Sequence, residues 1–485
     1  MIKEELLSKL EEIQKMKCET QTMEIKAAAK GCPQRLYDTL SSFSNQDEGG
    51  VILFGIDEDN GFIECGVYDP QDIQKKINEQ CLQMEPTVRP LLTVVEKDDK
   101  FFISAEIPGI DITDRPCFYK GKGRIKGSYV RVGDSDEIMT EYEIYSYEAY
   151  RRKYQDDIRT VQRATFNVLD KRMLDEYMYK LREKKPNLAA LDEKTIYELM
   201  SITREGKITL SAILLFCRFP QVFFPQLCIT AVVFPGNEMG DTGLSGERFL
   251  DNERIEGNIP EMLDQTITFV RKNIRNKTII NAQTGKREDR FDYPLTAIRE
   301  ALINALVHRD YSIHTEGMPV QLLIFSDRIE IKNPGGIYGR LRVDQLGKMQ
   351  PDTRNPVLVT ALEVLNITEN RYSGIPTIRR AMTDYDLPAP VFEDQRGTFS
   401  VTLYNSSQKV GTDPYAVLTD KEQEILRFLD VPRSRQEIAE FLGINSVAYA
   451  IQTYITPLLQ TGRVRMSIPD KPKSHSQRYV AVILK

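Results

Sequence analysis

Three polar side chains, Glu300, Asn304 and His308, recur at four-residue spacing in the stretch IREALINALVHRDY. On a helix each four-residue step turns about 40° past a full circle, so the three lie along one stripe. Leu295, Ile298, Ala301, Leu302, Ala305 and Leu306 supply apolar flanks. Such a polar row faces either water or a site. A second set is cationic. Residues 115–133, RPCFYKGKGRIKGSYVRVG, hold Arg115, Lys120, Lys122, Arg124, Lys126 and Arg131 without one acid, in a chain of formal net charge −6. Phe118, Tyr119 and Tyr129 interleave with them. Cations neutralise phosphates and aromatic faces stack on bases, which together make a nucleic-acid surface. The plainer alternative is an exposed β-hairpin kept soluble by its lysines. Its glycines at 121, 123 and 127 have the wrong spacing for a dinucleotide fingerprint, and no helix is expected after them.

The elements that must position these residues can be read on either side. Past the stripe, Pro319–Phe325 reads as a strand, and Asp327-Arg328 turn into a second strand, Ile329–Ile331. That strand runs to Asn333-Pro-Gly335-Gly336. A paired glycine lets the backbone approach a ligand because no side chain intervenes. Near the N-terminus a helix-like segment, Arg35–Ser44, leads to Asn45, Gly49-Gly50 and the apolar strand Val51–Phe54. Gly55-Ile-Asp57-Glu-Asp59-Asn-Gly61 follows, with Asn-Gly as a hairpin signal. Glu141–Tyr154 reads as a closing helix or linker. In the C-terminal stretch, Thr419 and Ser434 cap two amphipathic helices, Gly443 closes the second, and Ser446 opens a third. Arg463–Ile468 and Arg478–Ile483 read as strands. Pro457 sits in the last turns of the third helix, where it would kink the chain.

Helix with Glu-x3-Asn, strand, then glycine loop resembles the GHKL ATPase fold of gyrases, heat-shock chaperones and histidine kinases. The resemblance implies that Glu300 orients an attacking water and that Asn304 holds Mg²⁺. His308, Asn333, Gly335, Gly336 and Gly374 would complete an ATP pocket. Two positions depart from the family pattern. Asn333 stands where the adenine-reading residue is usually Asp, and an amide offers different donors and acceptors. The second glycine box reads Glu369-Asn-Arg-Tyr372-Ser373-Gly374-Ile375, with one glycine and a bulky tyrosine. The implied behaviour is weak adenine-nucleotide binding with negligible turnover. The longer strings NALVHRDYS, DRIEIKNPGG and Asp352-Thr-Arg-Asn355-Pro356 resemble one divergent branch, known from bacterial regulators with a Schlafen-type AlbA-like N-terminal domain. The string Ser41-Ser-Phe43-Ser-Asn45 followed by GGVILFGID is similar to that domain. In family members that cut RNA, two early acids and an Asp after the glycine strand bind the catalytic metal. By position these are Glu19, Glu24 and Asp57, with Asp59 as a substitute. Carboxylates suit Mg²⁺ or Mn²⁺. The alternative makes Glu24 and Lys26 a surface ion pair and lets Asp57 start a turn.

At 485 residues the chain exceeds one ordinary core. Seven scattered cysteines without a Cys-x2-Cys pair, and three histidines, argue against a finger-type zinc site and fit reduced thiols. No signal-like or membrane-spanning apolar run is expected, and MIKEELLSKLEEIQKMK reads as an amphipathic leading helix. The expected location is the cytoplasm. The expected fold is α/β multidomain. An AlbA-like α+β domain (1–150) is followed by a bridging α/β region (151–290) and a GHKL (Bergerat-type) α/β sandwich (291–405). After a polar linker comes a winged helix-turn-helix (415–485). Its recognition helix carries no Lys or Arg, so DNA contacts would come from Arg463, Arg465, Lys471, Lys473 and Arg478. The expected function is a DNA-binding transcriptional regulator with a degenerate nucleotide-sensing domain. It would bind nucleic acid, DNA ahead of RNA, and no membrane. The competing readings are a metal-dependent nuclease, an ATPase, and a scaffold whose GHKL-like domain only forms a homodimer.

Overall fold

The apolar run Val51–Phe54 lies inside a four-stranded sheet covered on both faces. The strand order is Met23–Lys26, Gly50–Phe54, Lys100–Ile107, Leu91–Lys97, the first pair parallel and the others antiparallel. Alternation sends Ile52 and Phe54 to a core with Leu40 and Phe43 of helix Tyr37–Ser44 and Ile73 and Ile77 of helix Pro70–Cys81. Leu53 points the other way, onto Leu6, Leu10 and Ile13 of the leading helix Lys3–Met16. A strand buried on both sides must be apolar at successive positions, which is why this one does not alternate.

This computed structural model describes residues 1–243, 245–280, 287–368, 373–395, 397–405, 425–429, 431–444, 446–460, 463–467 and 477–481. The basic run does not form a single hairpin, the plainer alternative. Phe118–Tyr119 pairs with Met84–Glu85, and Tyr129–Val132 pairs with Ser135–Ile138. A one-turn helix, Gly123–Gly127, separates them, and a strand follows the last of the glycines. The Asn60-Gly61 signal does mark a turn, but residues 58–62 form its loop between Ile56–Asp57 and Ile63–Glu64. Helix Glu141–Arg152, capped reciprocally by Thr140 and Glu143, then leaves the N-terminal region.

The boundary expected at 290/291 runs through a single sheet. Its six strands lie in the order Asp251–Ile255, Ile229–Val233, Val320–Ile324, Arg328–Pro334, Thr398–Tyr404, Val391–Gln395. Ile229–Val233 pairs in parallel with Val320–Ile324, so the bridging region supplies two strands of the same sheet. One apolar core extends from Val161 to Leu403. Leu322 and Ile324 face that core, under helices Leu210–Phe216, Ile259–Asn273, Leu295–Val307, Pro356–Val364 and Gly374–Asp384. Leu323 alternates to the far face, with Val232, Phe234 and Phe325. Asp157, fully buried, caps the Pro356–Val364 helix from 200 residues away, accepting from Val357 N at 2.8 Å.

The chain divides into two units, Met1–Asn405 and Ser406–Lys485. In the second, strands Arg433–Ser434, Arg478–Ala481 and Val464–Met466 form a sheet in that order. Ser434 caps helix Arg435–Phe441 with Glu437 completing the box, as the spacing predicts. The helix expected after Ser446 runs as Val447–Ala450, a π-helical stretch Ile451–Ile455, and Thr456–Gln460. The π stretch falls just before Pro457, whose missing N–H breaks the regular ladder. The expected cap Thr419 and the linker lie outside the described residues. Among the described residues no helix is long and apolar enough to cross a membrane.

Candidate nucleotide pocket and nucleic-acid surface

Helix Leu295–Val307 buries Ala297, Ile298, Ala301, Leu302, Ala305 and Leu306 and leaves Glu300 and Asn304 half-buried, so the polar stripe faces a site. The site is a cavity of about 220 Å³ lined by Glu300, Asn304, His308, Asn333, Gly335, Gly336 and Gly374. The six expected nucleotide-contacting residues and Glu300 therefore meet in one place. Asn333 belongs to the same strand face as Ile329 and Ile331, which sends it into the core side. It is 4% exposed, and its Oδ1 has no hydrogen-bond partner. Thr353 Oγ1, on the same wall, is likewise buried without one. Helix Gly374–Asp384 begins at the cavity, and no side chain caps its first N–H groups. A Cβ on Gly374 would lie 2.9 Å from Asn304 Nδ2 and 3.4 Å from Glu300 Oε2. Burial, aided by the Arg354 charge, holds the His308 imidazole down at about 4, so it is neutral at pH 7. Glu369–Tyr372 of the glycine box lie outside the described residues.

The glycine pair serves the protein's own side chains as well as the cavity. Gly335 has φ +102°, and a Cβ there would strike the Arg354 guanidinium and Asp310. Arg354 and Asp310, both nearly fully buried, pair at 3.1 Å, and Arg354 Nη2 donates to the Gly336 carbonyl at 3.2 Å. Tyr142 Oη donates to Asp310 Oδ2 at 2.7 Å. No sequence pattern marks Asp310 or Arg354 as a site residue. Each stands among other polar residues, and nothing local shows that they pair.

The acids of the N-terminal region gather around a guanidinium. Arg131, its side chain 1% exposed, pairs with Glu24 at 2.8 Å, Asp136 at 3.1 Å and Glu19 at 3.8 Å. Lys26 pairs with Glu24 at 2.5 Å. Asp57 does not join them: its carboxylate accepts from Asn60 N and Nδ2 at 3.3 and 2.8 Å and starts a turn. Among the described residues no group of three His, Cys, Asp or Glu could hold a metal. The structure brings Glu19 and Glu24 together and does not bring Asp57 to them. A cation already sits between the first two acids, and the third is committed elsewhere.

The basic surface is smaller than the six residues expected. Arg115 is buried, its Nη2 2.6 Å from Asp47 and its Nε donating to the Ile110 carbonyl. Arg131 is held as just described. Arg124 is half-buried, 3.8 Å from Glu148. Lys120, Lys122 and Lys126 are exposed. Lys122 sits over Tyr37, which stacks on Tyr119 with ring centroids 4.2 Å apart, and Arg35 approaches the same ring. In the second unit Arg463 is buried, Arg465 is half-buried, and Arg478 pairs with Glu437 at 2.8 Å. Lys471 and Lys473 lie outside the described residues.

Residues 19–140 match the family described as Schlafen, AlbA_2. Residues 317–403 match "Putative ATP-dependent DNA helicase recG C-terminal". That match begins after the Glu300–Asn304 helix. Residues 420–480 match the Filamentation induced by cAMP protein Fic-like, C-terminal domain. The chain is thus a mixed α/β multidomain protein with an AlbA_2 domain and a RecG-like ATPase-like domain. No curated protein sequence matches the chain. Among solved structures, the DIP2311 protein from Corynebacterium diphtheriae is 17% identical over 99% of this chain and 97% of its own, with a TM-score of 0.40. The N-terminal domain of a RecG-related helicase protein from Nitrosomonas europaea is 26% identical over 27% of this chain and 93% of its own, with a TM-score of 0.22.

Proposed function

We propose that this chain is a nucleic-acid-binding transcriptional regulator, acting on DNA, that senses an adenine nucleotide in its ATPase-like domain. In this reading that domain is a GHKL-type sandwich and the C-terminal unit a winged helix. The observation that carries the nucleotide half is the orphaned Asn333 Oδ1 in a cavity whose wall also holds Glu300, Asn304 and an uncapped helix N-terminus. An unpaired buried acceptor costs about 1–3 kcal/mol, and the exocyclic amine of adenine is the donor that would relieve it. Uncapped N–H groups favour phosphate. Asn304 would hold Mg²⁺, which would neutralise phosphate charge. Glu300 is placed to orient a water. The names of the matching families support nucleic acid as the partner and DNA as the polymer.

Millimolar ATP with Mg²⁺ should raise the thermal midpoint, because a ligand that binds only the folded state stabilises it. Asn304→Ala should remove the Mg²⁺-dependent part of the shift. Glu300→Ala should leave the shift nearly intact, since a water-orienting group acts on the transition state more than on ground-state binding. No shift at any nucleotide concentration would sink the sensor reading. Brisk hydrolysis lost in Glu300→Ala would make the domain an ATPase instead.

The nucleic-acid half predicts its own signature. Replacing Lys120, Lys122 and Lys126 together by Ala should weaken binding to mixed-sequence duplex DNA and flatten the log–log salt slope by about 0.9 per lost phosphate contact. All three are exposed, so the variant should fold as wild type does. An unaltered slope would place the DNA elsewhere.

A further inference from the structure

Helix Glu141–Arg152 touches both candidate sites. Toward the cavity, Tyr142 bonds Asp310, which pairs with Arg354, which holds the Gly336 carbonyl. The Tyr142 ring covers Gly397 so closely that a Cβ there would overlap it. Tyr150 Oη donates to Asp352 Oδ2 at 3.0 Å, and its ring stands edge-on to Tyr338 at 5.2 Å. Gly336, Tyr338 and Asp352 all line the nucleotide cavity. Toward the basic segment, Glu148 lies between Arg124 at 3.8 Å and Arg152 at 2.9 Å. Arg151 and Arg152 are exposed. They stand near enough to Arg124 that their charges, after burial, push its pKa down. Two guanidinium groups share the Glu148 carboxylate, with the Arg151 charge near Arg124 as well, and a phosphate would relieve the excess positive charge.

We propose that the Glu141–Arg152 helix is a brace between the two sites. Arg151 and Arg152 extend the nucleic-acid surface beyond the basic segment, and Tyr142 and Tyr150 tie that surface to the nucleotide cavity, so the two ligands bind with linkage. The proposal rests on the function proposed above. Linkage needs a ligand that changes the helix contacts, and part of the cavity wall, at Tyr338 and Asp352, is in contact with Tyr150.

The test is fluorescence anisotropy of a labelled mixed-sequence DNA duplex, with and without millimolar ATP and Mg²⁺, beside the thermal shift. In wild type, nucleotide should change the DNA Kd by about fivefold or more. Arg151→Ala with Arg152→Ala should flatten the salt slope by about two. Tyr142→Phe with Tyr150→Phe should abolish the nucleotide effect, while the thermal shift and the nucleotide-free Kd stay near wild type. Tyr150→Phe alone, which removes one hydroxyl from an exposed Asp352, gives a milder second variant. Both ligands binding with a Kd indifferent to nucleotide, a linkage that survives the double Phe variant, or a slope unmoved by the double Ala variant would overturn this proposal and leave the functional reading standing. A missing thermal shift would remove the nucleotide reading and this proposal together.

Discussion

Arg131→Met should destabilise the N-terminal region on the order of 3–5 kcal/mol, the usual loss when one partner of a buried ion network is removed. The guanidinium joins three separate pieces of chain. Glu19 and Glu24 come from the first strand and its approach, and Asp136 comes from the strand after the basic run. Asp136 in turn accepts from Thr39 and Ser42 of helix Tyr37–Ser44 at 2.7 and 2.5 Å. Without the cation the Glu24 and Asp136 carboxylates lose their shared guanidinium, and Lys26 remains beside Glu24. Methionine keeps the stem and its packing, so the loss reports the charge. Thermal and urea melts would measure it, and an unchanged midpoint would show that the network does not hold the region together. Glu19 adds a pH signature. Burial and the neighbouring Glu24 push it up to about 8 from 4.5. Because the folded value is the higher one, its contribution is fully present below 4.5 and is lost as pH rises through 8. Glu19→Gln should flatten the decline of stability across that window.

What could be read from the chain was local and periodic. The Glu300–Asn304–His308 stripe was legible because apolar residues at helical spacing fix which face is left over. Asn333 was reached only through the resemblance to the GHKL loop, and the structure shows it continuing the face of Ile329 and Ile331. What failed depends on partners distant in sequence. The count of cations in residues 115–133 was correct, but Arg115 and Arg131 are taken by Asp47, Glu24 and Asp136, which no pattern within the run announces. The same arginine holds Glu19 and Glu24, whereas Asp57 bonds Asn60. Nor does any local pattern show that strands on both sides of 290/291 share one sheet. A parallel pair such as Ile229–Val233 with Val320–Ile324 needs a long crossover, so the break in motif hid a continuous sheet. Asp310 and Arg354 meet only because Gly335 leaves room for both.

Gly374→Val should abolish nucleotide binding while sparing the fold, and the contrast with Gly335 shows why. Gly335 sits at φ +102°, a region that side chains rarely adopt, so Gly335→Val should damage the backbone and the Arg354–Asp310 pair together. Gly374 is not in that region, and it occupies the first turn of a helix, where valine is tolerated. Its added methyl groups would instead press on Asn304 Nδ2 and Glu300 Oε2, already 2.9 and 3.4 Å from the first carbon. They would also cover the uncapped N–H groups offered to phosphate. At a nucleotide concentration a hundred times the Kd, wild type gains about 2.7 kcal/mol, and the variant should lose all of it. The melt without nucleotide should stay near that of wild type, which separates a blocked site from a damaged core. A full thermal shift in Gly374→Val would mean that nucleotide sits elsewhere, and the cavity beside Asn333 would lose its assigned ligand.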